Sequence, residues 1–172
     1  MIPYDLLKIK AFAFDVDGVL SSSLVMLGGE GGPMRTANIK DGYALQLAVK
    51  RGFSLAVITG GNSKAVEERY RALGVQNIYM GSSIKKIVFS KWLQQESLDA
   101  SEVIYVGDDI PDLEVMKMCG CPCCPSDACE EIKENSVYVS PIAGGMGCVR
   151  DIVEQVLRVQ SKWISDNKAF GW

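Results

Sequence analysis

Short apolar runs alternate with stretches of helical apolar spacing along this chain, and that alternation constrains the fold most. We predict strands at 9–14, 54–59, 77–80, 103–106, 121–124 and 136–139, and helices at 41–51, 63–73, 84–96, 112–118 and 148–164. Strands that alternate with helices form βαβ units, whose strands are parallel. The sequence therefore predicts an α/β fold, with a Rossmann-like parallel sheet flanked by helices in a single domain over residues 1–172.

The composition excludes several classes of function. Of the 172 residues, 48% are apolar and 23% charged, and the formal net charge of −3 predicts no nucleic-acid partner. The chain has no histidine, which excludes a Ser-His-Asp triad and histidine-ligated metal sites. No apolar run reaches about 18 residues, so we expect no membrane span. Six cysteines without a secretory signal favour a cytoplasmic protein with free thiols.

Acidic residues follow two of the predicted strands. Asp15 and Asp17 come directly after the first strand, and Asp108, Asp109 and Asp112 come after the fourth. Ligands of parallel sheets bind at the carboxyl ends of the strands, and clustered carboxylates need a compensating cation. Oxygen ligands of this kind suit Mg²⁺. The alternative is that these aspartates only cap helices or form turns.

Four motifs occur in the order typical of the haloacid dehalogenase superfamily, which the chain resembles. They are DVDGV at 15–19, ITGG at 58–61, Lys85, and GDDIPD at 107–112. The resemblance implies a phosphohydrolase in which Asp15 attacks phosphorus and forms an aspartyl-phosphate. It also implies that Asp17 acts as general acid and base.

The same resemblance assigns the substrate and metal contacts. Thr59 and Gly60 would bind the phosphoryl group, and Lys85 would neutralise the phosphate and orient the nucleophile. Mg²⁺ would be held by the carboxylate of Asp15, the backbone carbonyl of Asp17, and Asp108. Asp112 would hold waters or Lys85.

The spacing of the motifs predicts a capless member of the superfamily. Only 43 residues separate Asp15 from Thr59, and a small, irregular β-hairpin insert at 20–36 and one helix occupy nearly all of them. A capless site is open unless neighbouring subunits close it.

Five longer segments resemble the family of 3-deoxy-D-manno-octulosonate 8-phosphate phosphatases, over about nine-tenths of the chain. They are NIKDGYALQLAVKRG, AVITGGNSKAVEERYRALGV, YMGSSIKKIVFSKWL, VIYVGDDIPDLEVM and SPIAGGMGCVRDIVEQVL. The resemblance implies hydrolysis of a sugar-acid phosphate in lipopolysaccharide (KDO) synthesis. It also implies a homotetramer joined by the hairpins, with the chain end directed towards a neighbour's site.

Alternative functions remain open at this point. One is a phosphatase for the nine-carbon substrates KDN 9-phosphate or N-acetylneuraminate 9-phosphate. Another, from a different class, is a catalytically idle binding subunit. Gly61 and Met146 stand where family members often carry arginine, which leaves the exact sugar acid open. The cationic candidates for binding the substrate carboxylate are Arg35, Lys40, Lys64 and Arg69.

Five cysteines lie within eleven residues, namely Cys119, Cys121, Cys123, Cys124 and Cys129. Zinc sites usually pair two such clusters or add histidine, and neither feature is present. We therefore favour cysteines that pack as small apolar side chains, with zinc as the alternative.

Overall fold

Six parallel strands form the sheet at the centre of the computed structural model, which describes residues 1–27 and 32–171. The strands are β1 (Ala11–Phe14), β2 (Ser54–Ile58), β3 (Asn77–Tyr79), β4 (Val103–Val106), β5 (Cys121–Cys124) and β6 (Tyr138–Val139). Their order across the sheet is β3-β2-β1-β4-β5-β6. The predicted parallel α/β sheet is confirmed, with all six strands within two residues of their predicted ends.

The helices are α1 (Ile39–Lys50), α2 (Lys64–Ala72), α3 (Lys85–Glu96), α4 (Leu113–Met116), α5 (Glu130–Glu134) and α6 (Cys148–Val159). The sequence did not predict α5, because five residues are too few to show helical periodicity. The prediction also extended α6 too far. The chain turns at Ser161, whose φ of 55° is left-handed and cannot continue a helix.

Both faces of the sheet are covered, as a parallel sheet requires. Phe12 and Phe14 of β1 lie in a buried apolar cluster with residues of α1 and α6, whereas Ala11 and Ala13 lie in a second cluster with residues of α3. Alternate side chains of a strand point to opposite faces, so β1 contributes to both cores. This burial fixes the central strand and therefore the position of the loop that follows it.

The segment between β1 and α1 contains the predicted hairpin insert only in reduced form. Met26 and Met34 exchange two backbone hydrogen bonds of 3.1 Å as one isolated antiparallel pair, and residues 28–31 lie outside the described part of the chain. The segment ends at Asn38, whose side chain caps α1 by accepting from the amides of Lys40 and Asp41. The described residues of this segment form no cap domain, so the capless prediction is confirmed.

The end of the chain packs against its own α1. The Tyr43 hydroxyl donates to the carbonyl of Ala169 at 2.5 Å, and Arg51 forms an ion pair with Asp166 at 2.7 Å. The Lys50 ammonium also donates to the carbonyl of Gly171. The described end of the chain therefore packs on α1 of its own chain. The contact with a neighbouring subunit that the family resemblance implies stays a prediction.

Candidate active site

The predicted site residues follow three strands that are neighbours in the sheet. Asp15 comes directly after β1, Thr59 after β2, and Asp108 two residues after β4. The amide of Asp15 donates to the carbonyl of Val106 at 3.0 Å, which extends the pairing of β1 with β4 by one residue. The central strands thus bring side chains that lie far apart in the sequence to one edge of the sheet.

Lys85, at the first turn of α3, joins two of these acidic groups. Its ammonium lies 2.8 Å from Oδ2 of Asp15 and 2.7 Å from Oδ1 of Asp112. Only 4% of its side chain is exposed, and that of Asp112 is completely buried. Burial disfavours the charged amine, but the two carboxylates outweigh it and raise the Lys85 pKa. Lys85 is therefore a fixed cation beside Asp15.

The Asp112 carboxylate connects Lys85 with two further groups of the cluster. Its Oδ1 also accepts a 2.6 Å hydrogen bond from the buried Tyr105 hydroxyl, and its Oδ2 accepts from the amide of Asp108 at 3.1 Å. Both oxygens of Asp112 are thus engaged within the protein. Tyr105 was not predicted from the sequence as a site residue, because a tyrosine in a buried strand is by itself only an apolar residue.

The carboxylate of Asp108 is bound less completely than that of Asp112. Its Oδ1 is buried and has no hydrogen-bond partner among the described residues. Burial, followed by the charges of Asp15, Asp112 and Asp109, raises its pKa to about 8. Burial and the charge of Asp112 likewise raise the pKa of Asp15 to about 7, although Lys85 opposes the shift. The cluster therefore carries more negative charge than one lysine compensates.

Asp15, Asp108 and Asp112 form a candidate metal site. One carboxylate oxygen of each lies within 4.8 Å of the others, and this is the one such group that the described residues contain. Both Asp112 oxygens have donors. So do both Asp15 oxygens, which contact the Val16 amide and the Lys85 ammonium. The buried Oδ1 of Asp108 has no partner among the described residues, so it is the oxygen of the cluster that most needs a cation. The oxygen ligands and excess negative charge of the cluster fit Mg²⁺.

Thr59 and Gly60 lie in the loop after β2, the strand next to β1 in the sheet. The Thr59 side chain is buried, and its Oγ1 accepts from the amide of Gly61 at 3.1 Å. The amide of Ser82 donates to the Thr59 carbonyl and holds the loop in place. Gly60 is exposed, and a Cβ atom there would make an ordinary van der Waals contact, 4.0 Å from the carbonyl oxygen of Ser82. The predicted roles of both residues in binding phosphate stay predictions.

The side chain of Asp17 lies apart from the metal cluster. Its two oxygens accept from Nε and Nη2 of Arg35 at 2.5 and 2.9 Å. The sequence named Arg35 only as a candidate for binding the substrate carboxylate, and no local pattern linked it with Asp17. The predicted metal contact of Asp17 uses its backbone carbonyl and is compatible with this side-chain pairing.

Gly18 is required by the close approach of two loops. Its φ is +86°, and a Cβ atom there would overlap the Asp108 carboxylate. Only glycine adopts this conformation without strain and leaves room for Asp108. Gly18 is therefore the point at which the DVDG loop packs against the loop that follows β4.

A groove of about 650 Å³ adjoins Val16 and runs between residues 32–37 and α2. The cationic side chains that line it are Arg35, Lys64 and Arg69. The groove offers space for a substrate larger than phosphate. Glu68 also lines it and pairs with Lys64 at 3.5 Å.

The cysteine cluster is part of the core. Cys119, Cys121, Cys123 and Cys124 are buried, and all six cysteines are free thiols. Burial raises the pKa of Cys119 to about 12, so its thiol stays protonated at neutral pH. These features agree with cysteines that pack as apolar side chains.

Comparison with known proteins gives the class of the chain. The family model described as haloacid dehalogenase-like hydrolase matches residues 41–125. This match agrees with the parallel sheet and with the position of the acidic cluster at the strand ends. The chain is thus a haloacid dehalogenase-like hydrolase.

The chain resembles more closely one group of these hydrolases. It is 38% identical over 155 residues to the 3-deoxy-D-manno-octulosonate 8-phosphate phosphatase of Escherichia coli K12, covering 90% of this chain and 82% of that protein. The crystal structure of the phosphatase of this name from Moraxella catarrhalis, in complex with magnesium, phosphate and KDO, has a TM-score of 0.90 at 31% identity and covers 96% of this chain and 95% of that one. The Yersinia pestis phosphatase of the same name has a TM-score of 0.88 at 32% identity, covering 91% and 85%. The chain belongs to the family of 3-deoxy-D-manno-octulosonate 8-phosphate phosphatases.

Proposed function

We propose that this chain hydrolyses the phosphate ester of 3-deoxy-D-manno-octulosonate 8-phosphate to KDO and inorganic phosphate. The observation that carries the proposal is the buried Asp15 carboxylate, which lies 2.8 Å from the Lys85 ammonium and beside Asp108. Relatives named for this reaction favour the eight-carbon substrate over KDN 9-phosphate and N-acetylneuraminate 9-phosphate. An idle binding subunit would not need this costly arrangement of buried charges.

The cofactor is Mg²⁺. Asp15 and Asp108 would hold it through carboxylate oxygens, together with the backbone carbonyl of Asp17. The buried Asp108 oxygen without a partner and the raised pKa values of both carboxyl groups indicate that a cation is needed there. When bound, the ion supplies positive charge to the nucleophile and to the phosphoryl oxygens.

The first chemical step uses Asp15 and Asp17. A carboxylate oxygen of Asp15 forms a bond to phosphorus as the bond from phosphorus to the sugar oxygen breaks. Asp17 enters this step with a proton on one carboxyl oxygen, while Arg35 keeps its contact with the other oxygen. Asp17 gives that proton to the leaving oxygen, so KDO departs as the alcohol. Lys85 neutralises negative charge on the transferring phosphoryl group, and Thr59 donates a hydrogen bond to it. The products of this step are KDO and phosphorylated Asp15.

The second step restores the enzyme. Asp17, now a carboxylate, accepts a proton from a water molecule as that water attacks phosphorus. The bond between phosphorus and the Asp15 oxygen breaks, which releases inorganic phosphate and returns Asp15 to its carboxylate form. One residue thus acts as acid in the first step and base in the second.

The groove beside α2 is the place for the sugar acid. Lys64 and Arg69 line it and are candidates for binding the substrate carboxylate, for which arginine has the better geometry. Neither position follows from the motifs at the strand ends. The substrate carboxylate would distinguish KDO 8-phosphate from neutral sugar phosphates.

The test is phosphate release from KDO 8-phosphate and KDN 9-phosphate, measured side by side with Mg²⁺ and with EDTA. We expect strong preference for the eight-carbon substrate and loss of turnover in EDTA that Mg²⁺ restores. Preference for KDN 9-phosphate would move the chain to the nine-carbon activity. If neither is hydrolysed, the proposed substrate is wrong.

We also propose that the chain is one domain that assembles as a homotetramer. The apolar side chains of Leu24, Met26, Leu27 and Met34 beside the Met26–Met34 pair are more than half exposed. Such patches favour burial against a partner surface. Light scattering tests the proposal, since a tetramer supports it and a monomer at micromolar concentration contradicts it.

We place the protein in the cytoplasm because its six cysteines are free thiols, of which five are buried. No helix in residues 1–27 and 32–171 is long and apolar enough to cross a membrane. Fractionation of cells that make the protein tests the location, and recovery from the periplasm would contradict it.

A further inference from the structure

Arg35 reaches from the hairpin segment onto the Asp17 carboxylate. Its Nε and Nη2 donate to Oδ1 and Oδ2 of Asp17 at 2.5 and 2.9 Å, and its Nη1 donates to the carbonyl of Pro33 at 3.2 Å. Three nitrogens of the guanidinium are therefore engaged, and only 12% of the side chain is exposed. The fork matches both carboxylate oxygens at once, which fixes the plane of the carboxylate as well as its position.

Gly61 provides the space for this contact. A Cβ atom at position 61 would lie 3.1 Å from Nη2 of Arg35, which is tighter than ordinary van der Waals contact. A branched side chain there would push the guanidinium away from Asp17. The contact between Arg35 and Asp17 therefore depends on the absence of a side chain at position 61.

We propose that Arg35 is the positioning residue for Asp17, and that Gly61 is needed because it leaves room for the Arg35 guanidinium. This inference rests on the proposed function, in which Asp17 is the general acid and base. The Asp17 side chain is 36% exposed, and Arg35 is the partner that the described residues give its carboxylate. Without that partner the carboxylate would rotate freely, and general acid catalysis depends on its distance from the leaving oxygen.

The contact differs from an ordinary surface ion pair. Exposed pairs contribute little because water screens them and both side chains lose entropy. Here the cation is mostly buried and meets both carboxylate oxygens. Lysine, with one rotatable ammonium, could keep the charge but could not fix the carboxylate plane. Arg35→Lys should therefore restore only part of what Arg35→Gln loses.

The leaving group provides the test. 4-Nitrophenolate leaves readily without a proton, whereas phenolate needs help from a general acid. Because kcat/KM reports transfer to Asp15, the first irreversible step, it isolates the step in which Asp17 is the acid. With Mg²⁺ present, we expect Arg35→Gln to lower kcat/KM for phenyl phosphate about 100-fold but for 4-nitrophenyl phosphate less than about 10-fold.

An Asp17→Asn background supplies the second measurement. If Arg35 acts through Asp17, adding Arg35→Gln to Asp17→Asn should change kcat/KM for phenyl phosphate less than about 3-fold. Equal losses on both esters in the single variant, or a full additional loss in the double variant, would overturn the proposal. Those results would mean that Arg35 contacts the phosphoryl group or only supports the fold.

Gly61→Val is a second test of the proposal, and Arg71→Gln is its control. Gly61→Val should show the same dependence on the leaving group as Arg35→Gln, because it displaces the guanidinium. Arg71 pairs with Glu67 on an exposed part of α2, so Arg71→Gln removes a cation without touching Asp17 and should leave both rates unchanged. Both aryl esters lack the sugar. If wild type hydrolysed the aryl esters but not KDO 8-phosphate, the proposed substrate would be wrong, whereas the role of Arg35 would not be affected.

Discussion

The Lys85 ammonium lies 2.8 Å from the Asp15 carboxylate, in a position where water reaches only 4% of the lysine side chain. The same ammonium contacts Asp112, which is itself held by Tyr105. A charge in this setting cannot be replaced by water or by a mobile counterion. The relationship therefore links the chemistry that we propose for Asp15 to the stability of the core around it.

Replacing Lys85 should damage both activity and stability. Lys85→Ala leaves Asp15 and Asp112 buried without their cation, and breaking a buried pair costs about 3–5 kcal/mol. We expect a lower free energy of unfolding, measured by denaturant titration. We also expect kcat/KM for KDO 8-phosphate to fall by at least about 100-fold.

The neighbouring Lys86 provides a matched control. Its ammonium pairs with Glu114 at the surface, where the lysine side chain is 44% exposed. Lys86→Ala should change the free energy of unfolding by less than about 1 kcal/mol and leave turnover intact. Equal effects of the two substitutions would contradict the assignment of Lys85 to the site.

Removing the acid and base should affect activity alone. Asp17→Asn keeps the size of the side chain but cannot give or accept the proton, so turnover of KDO 8-phosphate should fall about 10²–10⁴-fold. Asp109→Asn, a change of the same kind at an exposed aspartate near the site, should have little effect. Phosphate release at saturating Mg²⁺ measures both, and near wild-type turnover of Asp17→Asn would exclude the proposed role.

Asp108→Asn should stabilise the metal-free protein at high pH. The pKa of Asp108 is raised from 3.8 to about 8, so ionisation of this carboxyl costs stability in the folded state. That cost is absent below the unfolded pKa of 3.8, grows between 3.8 and about 8, and is complete above the folded pKa. In EDTA, the Tm of Asp108→Asn should exceed that of wild type by more than about 2 °C above pH 8, and should match it near pH 4.

With excess Mg²⁺ at pH 8, the Tm of wild type should exceed that of Asp108→Asn. Only wild type keeps the Asp108 carboxylate as a ligand, and a cation that binds the folded state alone raises its stability. Thermal unfolding with and without Mg²⁺ gives the comparison. If Mg²⁺ raised the Tm of both proteins equally, Asp108 would not be a metal ligand.

The sequence predicted the sheet well because strand and helix periods are local properties. Each strand, from β1 to β6, appears as a short apolar run bounded by glycine or polar residues, and the βαβ rule then makes the sheet parallel. What the sequence could not give was the exact end of α6. That end depends on the left-handed turn at Ser161, which no local pattern marks.

The placement of the candidate site residues was predictable where they lie in motifs at strand ends. Asp15, Thr59 and Asp108 lie at one edge of the sheet because β1, β2 and β4 are neighbours. The sequence predicted that these residues follow the carboxyl ends of parallel strands, but it did not predict the order of the strands. Tyr105 and Arg35 were different. Their roles depend on side-chain direction across the fold, from a buried strand and from the hairpin segment, and neither carries a spacing that reveals it.

Trapping the phosphorylated residue tests whether Asp15 is the nucleophile. Wild-type enzyme mixed with KDO 8-phosphate and Mg²⁺ can be quenched with borohydride, which reduces an aspartyl-phosphate to homoserine, and then mapped by mass spectrometry. We expect homoserine at position 15, dependent on Mg²⁺ and substrate, and unmodified Asp17 and Asp108. Homoserine at another aspartate, or steady turnover with Asp15 unmodified at every quench time, would contradict it.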